Sequence, residues 1–306
     1  MHVTDRNTVS PPAIEKAYAK INLNLEVLGL RPDGYHELVS LVAFARDVFD
    51  VVTVTPAGKF SLVVSGPSGQ HIDGDNLVLQ AAEQAATIPA VSQQPGRIDL
   101  IKNLPVAAGL GGGSADAAAT LRAIARLNAI DDIETAFAGL CPKLGADVPV
   151  CLQSGDAQAA LMWGLGEQVW RPTGAGGLLP PGLSALLVNP GQPVPTGAVF
   201  RALAASPLED VPSAPDKPGP FKTTTELVRF LQNSRNDLEK PARSITPLIN
   251  DVLCALRTQP DCQLARMSGS GATCFGLFED LSQAETAKAR LAAQQTNWWL
   301  ATTRLV

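Results

Sequence analysis

The chain has 306 residues and a mass of 32.0 kDa, and 45% of its residues are hydrophobic while only 17% are charged. This composition excludes an intrinsically disordered protein, because such chains are rich in charge and poor in apolar residues. The formal net charge is −5, which excludes the strongly basic footprint of a general nucleic-acid-binding protein.

The five cysteines are scattered along the sequence, and no two of them have CxxC spacing. We therefore expect neither a zinc site nor a disulfide framework, and the odd number is typical of a reducing compartment. The first twelve residues are polar and do not resemble a signal peptide. The longest charge-free stretch, residues 172–200, is interrupted by six prolines and six glycines, which excludes a membrane helix there. A soluble, cytoplasmic protein is expected.

In the first part of the chain, alternation of apolar and polar residues predicts the earliest strand. Residues 19–27 alternate strictly, with Lys20 and Asn22 on the polar face, so we expect a half-buried strand. A helix follows later, with Asp75 or Asn76 as its N-cap. The elements predicted up to residue 102 also include a turn at 31–34, strands at 48–55, 61–65 and 97–102, and that helix at 76–86.

Four glycines stand between the strand at 97–102 and an alanine-rich helix that runs to about residue 128: Gly109, Gly111, Gly112 and Gly113. Glycine lets the backbone approach a ligand closely, and the first turn of the following helix offers free N–H groups. We therefore predict a site for a di- or triphosphate, with the Ser114 hydroxyl as a helix cap or as a ligand of phosphate or Mg²⁺. The spacing matches neither a P-loop nor a Rossmann fingerprint. A flexible connector, the alternative, would more often carry Ser, Lys or Glu among its glycines.

The remaining elements mix helices and strands without a regular βαβ alternation, which indicates an α+β architecture. They are a helix at 132–144, a loop at 145–149, a strand at 184–189, a helix after Thr196, a proline-rich solvated loop at 210–220, helices at 226–232 and 247–257, strands at 263–267, 273–278 and 298–305, a loop at 268–271 and a helix at 283–293.

Three strings of the sequence resemble, in the same order, the motifs of the GHMP kinase superfamily: Ala17 to Leu23, Pro105 to Ala115, and Ser268 to Thr273. The resemblance implies a two-domain α+β fold. Its N-terminal ATP domain, of the ribosomal-S5-domain-2-like type, would span residues 1–160, with 1–13 disordered or extended. A C-terminal ferredoxin-like α/β-sandwich domain on the substrate side would span residues 161–306.

Four further strings are similar to one family of that superfamily, the 4-diphosphocytidyl-2-C-methyl-D-erythritol kinases: Asp33 to Leu38, Leu144 to Pro149, Gly164 to Glu167, and Asn236 to Glu239. The resemblance implies an ATP-dependent kinase that phosphorylates the 2-hydroxyl group of a CDP-linked methylerythritol in non-mevalonate isoprenoid biosynthesis. Its partners would be two small molecules, ATP and the CDP-alcohol, with Mg²⁺ as the metal. No nucleic acid or membrane would take part, and the protein would be a monomer or a homodimer.

The same resemblance assigns roles to individual residues. Lys20 and Asp147 would be catalytic, with Asp147 as the base that faces the acceptor hydroxyl. Substrate would be bound by Lys20, Asn22, Tyr35, His36, Asp147 and Phe200, with the cytosine between the two aromatic rings. ATP would be bound by Pro105, Val106, Ala107, Ala108, Gly109, Leu110, Gly111, Gly112, Gly113, Ser114 and Ala115, and Ser114 would also bind Mg²⁺.

Several alternatives stay open at the level of the sequence. Lys20 and Asn22 could lie on a solvated strand face, Asp147 could be a turn or cap residue, and Phe200 could belong to the core. Residues 268–271 could touch ligand or serve only backbone packing. The function could be that of another GHMP kinase of the homoserine or phosphomevalonate type, or of a non-catalytic relative that binds a metabolite.

Overall fold

The computed structural model describes residues 11–57, 59–71, 76–156, 158–172 and 177–306. The predicted disorder or extension of residues 1–13 lies mostly outside these ranges, as does Asp75, one of the two candidate caps. The other candidate, Asn76, is the N-cap of the first helix, and its side-chain oxygen accepts a hydrogen bond from the amide of Val78.

The described residues form strands and helices in mixed order. The strands are β1 (Ala13–Asn22), β2 (Glu26–Leu30), β3 (His36–Pro56), β4 (Ser61–Ser65), β5 (Pro95–Ile101), β6 (Ala160–Gly164), β7 (Gln168–Trp170), β8 (Ser184–Asn189), β9 (Leu264–Met267), β10 (Cys274–Phe278) and β11 (Trp299–Arg304). The helices are α1 (Leu77–Ala85), α2 (Gly112–Leu127), α3 (Ile133–Phe137), α4 (Cys141–Leu144), α5 (Val148–Leu152), α6 (Thr196–Leu203), α7 (Thr224–Gln232), α8 (Glu239–Ile245), α9 (Leu248–Arg257) and α10 (Leu281–Gln294).

The first sheet is built around the 21-residue strand β3. Its order is β4-β5-β3-β6-β7, and β1 and β2 also pair with β3. Each pairing is antiparallel except that of β4 with β5. The α+β prediction is confirmed. The division predicted between residues 160 and 161 stays a prediction. It falls within β6, and both β6 and the following β7 pair within this first sheet.

The single strand predicted at residues 19–27 is wrong, because the chain leaves the sheet after Asn22. Leu25 instead exchanges backbone hydrogen bonds with a distant segment: its amide donates to the carbonyl of Arg235, and its carbonyl accepts from the amide of Asp237. The chain then returns to the sheet as β2. The predicted helix at 132–144 is likewise broken into α3 and α4, since Pro142 fits only the first turn of a helix.

The second sheet has the order β11-β8-β10-β9 and is antiparallel throughout. Strand β8 is buried on both faces, which explains its continuous apolar sequence. Leu186 and Val188 belong to the core under the helices α9 and α10, while Ala185 and Leu187 belong to a core shared with β1 and β3 of the first sheet. The two sheets therefore pack against each other through one face of β8.

A close approach between two glycine-containing segments joins the two sheets. The hydroxyl of Ser268, after β9, accepts a hydrogen bond from the amide of Asn22 at 3.1 Å and donates one to the carbonyl of Gly109 at 2.9 Å. Gly109 has a φ of +74°, and a Cβ atom there would lie 2.4 Å from the carbonyl oxygen of Ser268. Glycine at position 109 is required both by its conformation and by the lack of space.

Gly109→Ala should destabilise the protein by at least about 1–3 kcal/mol, the usual cost of a non-glycine residue held in a left-handed conformation, because the added Cβ also overlaps a backbone atom. Urea unfolding would measure the loss. Gly139→Ala is a matched control, since no atom lies within 4 Å of a Cβ at that position. Equal stability of the two variants would contradict the close approach.

Candidate active site

A cavity of about 1460 Å³ opens between the glycine loop, the end of β1, the turn before β3 and α6. It exceeds the roughly 300–1,000 Å³ that holds a single drug-sized ligand, so it has room for two substrates. Of the residues predicted for the site, those that line it are Lys20, Asn22, Tyr35, His36, Pro105, Val106, Ala107, Ala108, Gly109, Gly111, Gly112, Gly113, Ser114, Asp147 and Phe200. Leu110 and Ala115 are instead buried in the cores behind the loop.

An ion pair between Lys20 and Asp147 lies at the centre of this cavity wall. Lys20 Nζ and Asp147 Oδ2 are 3.0 Å apart, and the lysine side chain is 4% exposed while the aspartate is 31% exposed. Asp147 occupies the N-cap position of α5, but its side chain makes no capping hydrogen bond. The carboxylate is therefore free to face a ligand. The alternative that the Asp147 side chain serves as a helix cap does not hold.

The side-chain amide of Asn22 holds Lys20 in place. Its Oδ1 accepts a hydrogen bond from Lys20 Nζ at 2.8 Å, and its Nδ2 donates to Ser40 Oγ at 2.8 Å. Both Lys20 and Asn22 are buried, which excludes the solvated strand face left open by the sequence. At the end of β1, Lys20 and Asn22 are buried side chains that form part of the cavity wall.

The glycine loop brings the start of α2 to the same place. The amide of Lys20 donates to the carbonyl of Leu110 at 2.9 Å, and Gly111, with a φ of +62°, is the N-cap of α2 without a side-chain cap. A Cβ at position 111 would lie 3.0 Å from Lys20 Cε and 3.7 Å from Asp147 Oδ2. The first N–H groups of this 16-residue helix are thus exposed beside the ion pair, an arrangement that favours a bound phosphate.

Ser114 lies in the first turn of α2 and faces Gly145, whose Cβ would be 3.6 Å from Ser114 Oγ. The hydroxyl does not cap the helix, so the second role predicted for it, as a ligand of phosphate or Mg²⁺, is the one the geometry allows. In the described ranges, no group of three or more acidic, histidine or cysteine side chains could hold a metal ion by itself. In P-loop NTPases a Ser or Thr hydroxyl beside the phosphate loop binds Mg²⁺ together with an acidic residue, and Ser114, in the first turn of α2, would offer a comparable hydroxyl.

A buried charge cluster that the sequence analysis missed lies directly under the loop. Lys102 Nζ is 2.5 Å from both Asp50 Oδ2 and Asp116 Oδ2, and a Cβ on Gly112 would lie 3.1 Å from that nitrogen. Asp50 Oδ1 also accepts hydrogen bonds from the backbone amides of residues 103 and 104. The three residues come from separate elements, so the sequence does not show that they meet. The only signal in the sequence is that Lys102 follows an apolar strand and that Asp116 lies in an alanine-rich helix.

The cluster places two carboxyl groups against a single ammonium group. One lysine cannot balance two buried negative charges, so burial favours protonation of one carboxyl group. Burial raises the pKa of the Asp116 carboxyl to about 8 against the opposing effect of Lys102, and Asp116 Oδ1 has no hydrogen-bond partner. Burial by itself would lower the pKa of Lys102, but the charges of Asp116 and Asp50 outweigh it and raise that pKa. The lysine therefore stays charged, and Asp116 holds its proton more tightly than a solvent-exposed Asp carboxyl does.

Three predicted residues gather at the other end of the cavity. The rings of His36 and Phe200 are in contact, with centroids 4.7 Å apart and a tilt of 36°. Tyr35, in the turn before His36, is 63% exposed. Burial lowers the pKa of His36, so its ring is neutral at pH 7 and has one donor and one acceptor nitrogen. Phe200 lines the cavity and also packs against the core under α9, so the core interpretation holds in part, while its role in binding cytosine stays a prediction.

Comparisons with known proteins agree with this geometry. Residues 76–155 match the GHMP kinases N terminal domain, and residues 221–297 match the GHMP kinases C terminal family. The chain is 49% identical to a 4-diphosphocytidyl-2-C-methyl-D-erythritol kinase of Methylobacterium radiotolerans, over 95% of this chain and 98% of that protein. It is 47% identical to the protein of the same name from Dinoroseobacter shibae, over 97% and 96%.

Solved structures give the same picture. The chain is similar to a crystal structure of 4-(cytidine 5'-diphospho)-2C-methyl-D-erythritol kinase, with 33% identity, a TM-score of 0.69, and coverage of 95% of this chain and 98% of that one. A homoserine kinase from Cytophaga hutchinsonii, 15% identical with a TM-score of 0.63 over 100% of both chains, shares the fold. Separately, none of the helices in the described ranges is long and apolar enough to cross a membrane.

Asp116→Asn should remove a pH dependence of stability. The folded chain binds the Asp116 proton more tightly than the unfolded chain, in which an Asp carboxyl has a pKa of about 3.9. The stabilisation from this proton is therefore complete below about pH 4 and is lost as the pH rises through about 8. Urea unfolding at several pH values would show a flatter profile for the variant. Parallel profiles for Asp116→Asn, the wild type and the exposed control Asp251→Asn would contradict the assignment.

Proposed function

The chain belongs to the 4-diphosphocytidyl-2-C-methyl-D-erythritol kinase family of the GHMP kinases, and from this we propose that it transfers the γ-phosphoryl group of ATP to the 2-hydroxyl group of 4-diphosphocytidyl-2-C-methyl-D-erythritol. This is a step of non-mevalonate isoprenoid precursor biosynthesis. The fold is the two-domain α+β fold of these kinases, with an N-terminal ribosomal-S5-domain-2-like part and a C-terminal ferredoxin-like part. The observation that carries the proposal is the Lys20–Asp147 ion pair, 3.0 Å long, beside the uncapped start of α2.

ATP would bind with its phosphates against the glycine loop. The free N–H groups at the start of α2 and the positive end of the helix dipole would hold the phosphate oxygens, and the Ser114 hydroxyl would bind either phosphate or Mg²⁺. When bound, Mg²⁺ would neutralise charge on the transferred phosphoryl group. Lys102, directly under Gly112, is paired with Asp50 and Asp116, so its part is to support the loop from below.

The acceptor hydroxyl would lie against Asp147, which accepts its proton as the hydroxyl oxygen attacks the γ-phosphorus and ADP leaves. The ammonium group of Lys20 has three N–H donors. Asp147 and Asn22 take two of them, so the third is available to an oxygen of the moving phosphoryl group. Because Asn22 is itself held by Ser40, the lysine is positioned before substrate arrives, and most of the rate gain would come from such positioning and charge stabilisation.

The cytidine end of the acceptor would bind at Tyr35, His36 and Phe200. The exposed ring of Tyr35 and the ring of Phe200 offer stacking surfaces, and the neutral ring of His36 can hydrogen-bond the edge of the base. A homoserine-type acceptor would use neither aromatic ring, and a non-catalytic relative would need no ion pair at the phosphate site. The cytoplasmic location and the choice between a monomer and a homodimer stay predictions.

Asp147→Asn should bind both substrates and lose about 10²–10⁴-fold in kcat, because the amide keeps the shape of the side chain but cannot accept the proton. Single-turnover kinetics at saturating substrates would measure the loss, and calorimetric titration would verify binding. Asp251→Asn, an exposed change on α9, serves as the control. Near-normal turnover of Asp147→Asn would remove this residue from the proposed mechanism.

Tyr35→Ala should raise the KM for the acceptor while the KM for ATP stays close to the wild-type value. Loss of one stacking surface is worth about 1–3 kcal/mol, or roughly 5- to 150-fold in affinity. Steady-state kinetics with each substrate varied in turn would separate the two constants. Phe60→Ala is the control, since Phe60 is an exposed aromatic residue outside the cavity lining. An increase in the KM for ATP alone would place the cytidine site elsewhere.

A further inference from the structure

The cations that line the cavity differ in whether the protein already neutralises them. Five side chains of this kind line it: Lys20, Arg31, Lys102, Lys143 and Arg201. The first three are in ion pairs with Asp147, with Asp33 and Glu37, and with Asp50 and Asp116, respectively. In the ranges that the structure describes, no acidic side chain forms an ion pair with Lys143 or Arg201. These two cations are therefore available to an anionic ligand.

The two unpaired cations lie on different walls. Lys143 is in α4, two residues before Gly145, which faces Ser114 at the start of α2. It is thus on the side of the glycine loop. Arg201 is in α6, directly after Phe200, and its guanidinium folds back along its own helix, so that a Cβ on Gly197 would lie 3.4 Å from Nη1. Arg201 is thus on the side of the His36–Phe200 contact.

Contacts lead from α6, the helix that carries Arg201, toward the reacting groups. In the first turn of α6, the hydroxyl of Thr196 is 2.8 Å from the hydroxyl of Ser270. Next to Ser270, a Cβ on Gly269 would lie 3.3 Å from Asn22 Oδ1, the atom that accepts from Lys20 Nζ. Arg201 therefore stands on the wall that connects the aromatic end of the cavity with the Lys20–Asp147 pair.

We propose that Arg201 binds the diphosphate of the acceptor and makes the site selective for a nucleoside diphosphate over the nucleoside alone. The inference rests on the proposed function, in which the base lies at His36 and Phe200 and the reacting hydroxyl lies at Asp147. The diphosphate joins the nucleoside to the polyol, so it must cross the wall between these two ends. A guanidinium presents paired N–H donors in a plane, a geometry that matches two phosphate oxygens.

Competition against the acceptor tests this role, with CDP and cytidine as the two probes and Arg201→Gln as the variant. The wild type should bind CDP more tightly than cytidine. In the variant the inhibition constant of CDP should rise about 10- to 100-fold, the range expected on loss of hydrogen bonds to a charged group. The inhibition constant of cytidine and the KM for ATP should stay unchanged. Arg201→Lys should recover part of the affinity for CDP, because lysine restores the positive charge but lacks the paired, planar N–H donors of the guanidinium.

The matched control is Arg229→Gln, which removes an exposed arginine of α7 that does not line the cavity, and it should change neither inhibition constant. Equal weakening of CDP and cytidine by Arg201→Gln would overturn the inference, since it would mean that Arg201 only positions α6 and Phe200. Unchanged CDP inhibition would also overturn it. If CDP fails to compete with the acceptor in the wild type, the proposed acceptor site itself fails, and this outcome is visible before any variant is made.

Discussion

The hydroxyl group of Ser268 is the point on which the geometry of the site depends. It belongs to the turn after β9 in the second sheet, yet it bonds the amide at the end of β1 and the carbonyl of Gly109 in the first. Lys20 and Asn22 come from that strand end, and the glycine run proposed to bind phosphate begins at that glycine. The proposed reacting groups are therefore held in register by a segment that follows Gly109 by 159 residues and Asn22 by 246 residues, and the second sheet is part of the candidate site even though it supplies neither member of the ion pair.

Charge burial is the second constraint. Lys20 and Lys102 are both almost fully buried, and a buried charge is tolerated only with partners. The structure supplies them unequally. Lys20 contacts one carboxylate and one amide, so a single negative charge balances it, whereas Lys102 contacts two carboxylates. The first arrangement suits a group that acts on a ligand, and the second suits a group that fixes β3, β5 and α2 beneath the loop.

The sequence predicts local elements where a single pattern determines them. The bounds of β4 and β8 agree with the predicted 61–65 and 184–189, because each is a short run between turn residues. Strand β3 was predicted only at its end, since the register of its first part is set by pairing with β2 and β6. In the site, Lys20 and Asp147 could be found because each lies within a recognisable string. The Asp50–Lys102–Asp116 cluster and Arg201 could not, because only the folded chain brings them to the cavity.

The two ends of the cavity also differ in how far they are tied into the core. The reacting groups and the glycine loop are embedded in buried strands and in tight backbone contacts, whereas Tyr35 and Arg201 project from an exposed turn and an exposed helix face. Substitutions at this rim leave the packed interior untouched, so natural variation has more freedom there than at the phosphate site. Residues at the rim can therefore change while the packed interior, and with it the fold, is kept; a homoserine kinase that is only 15% identical shares this fold.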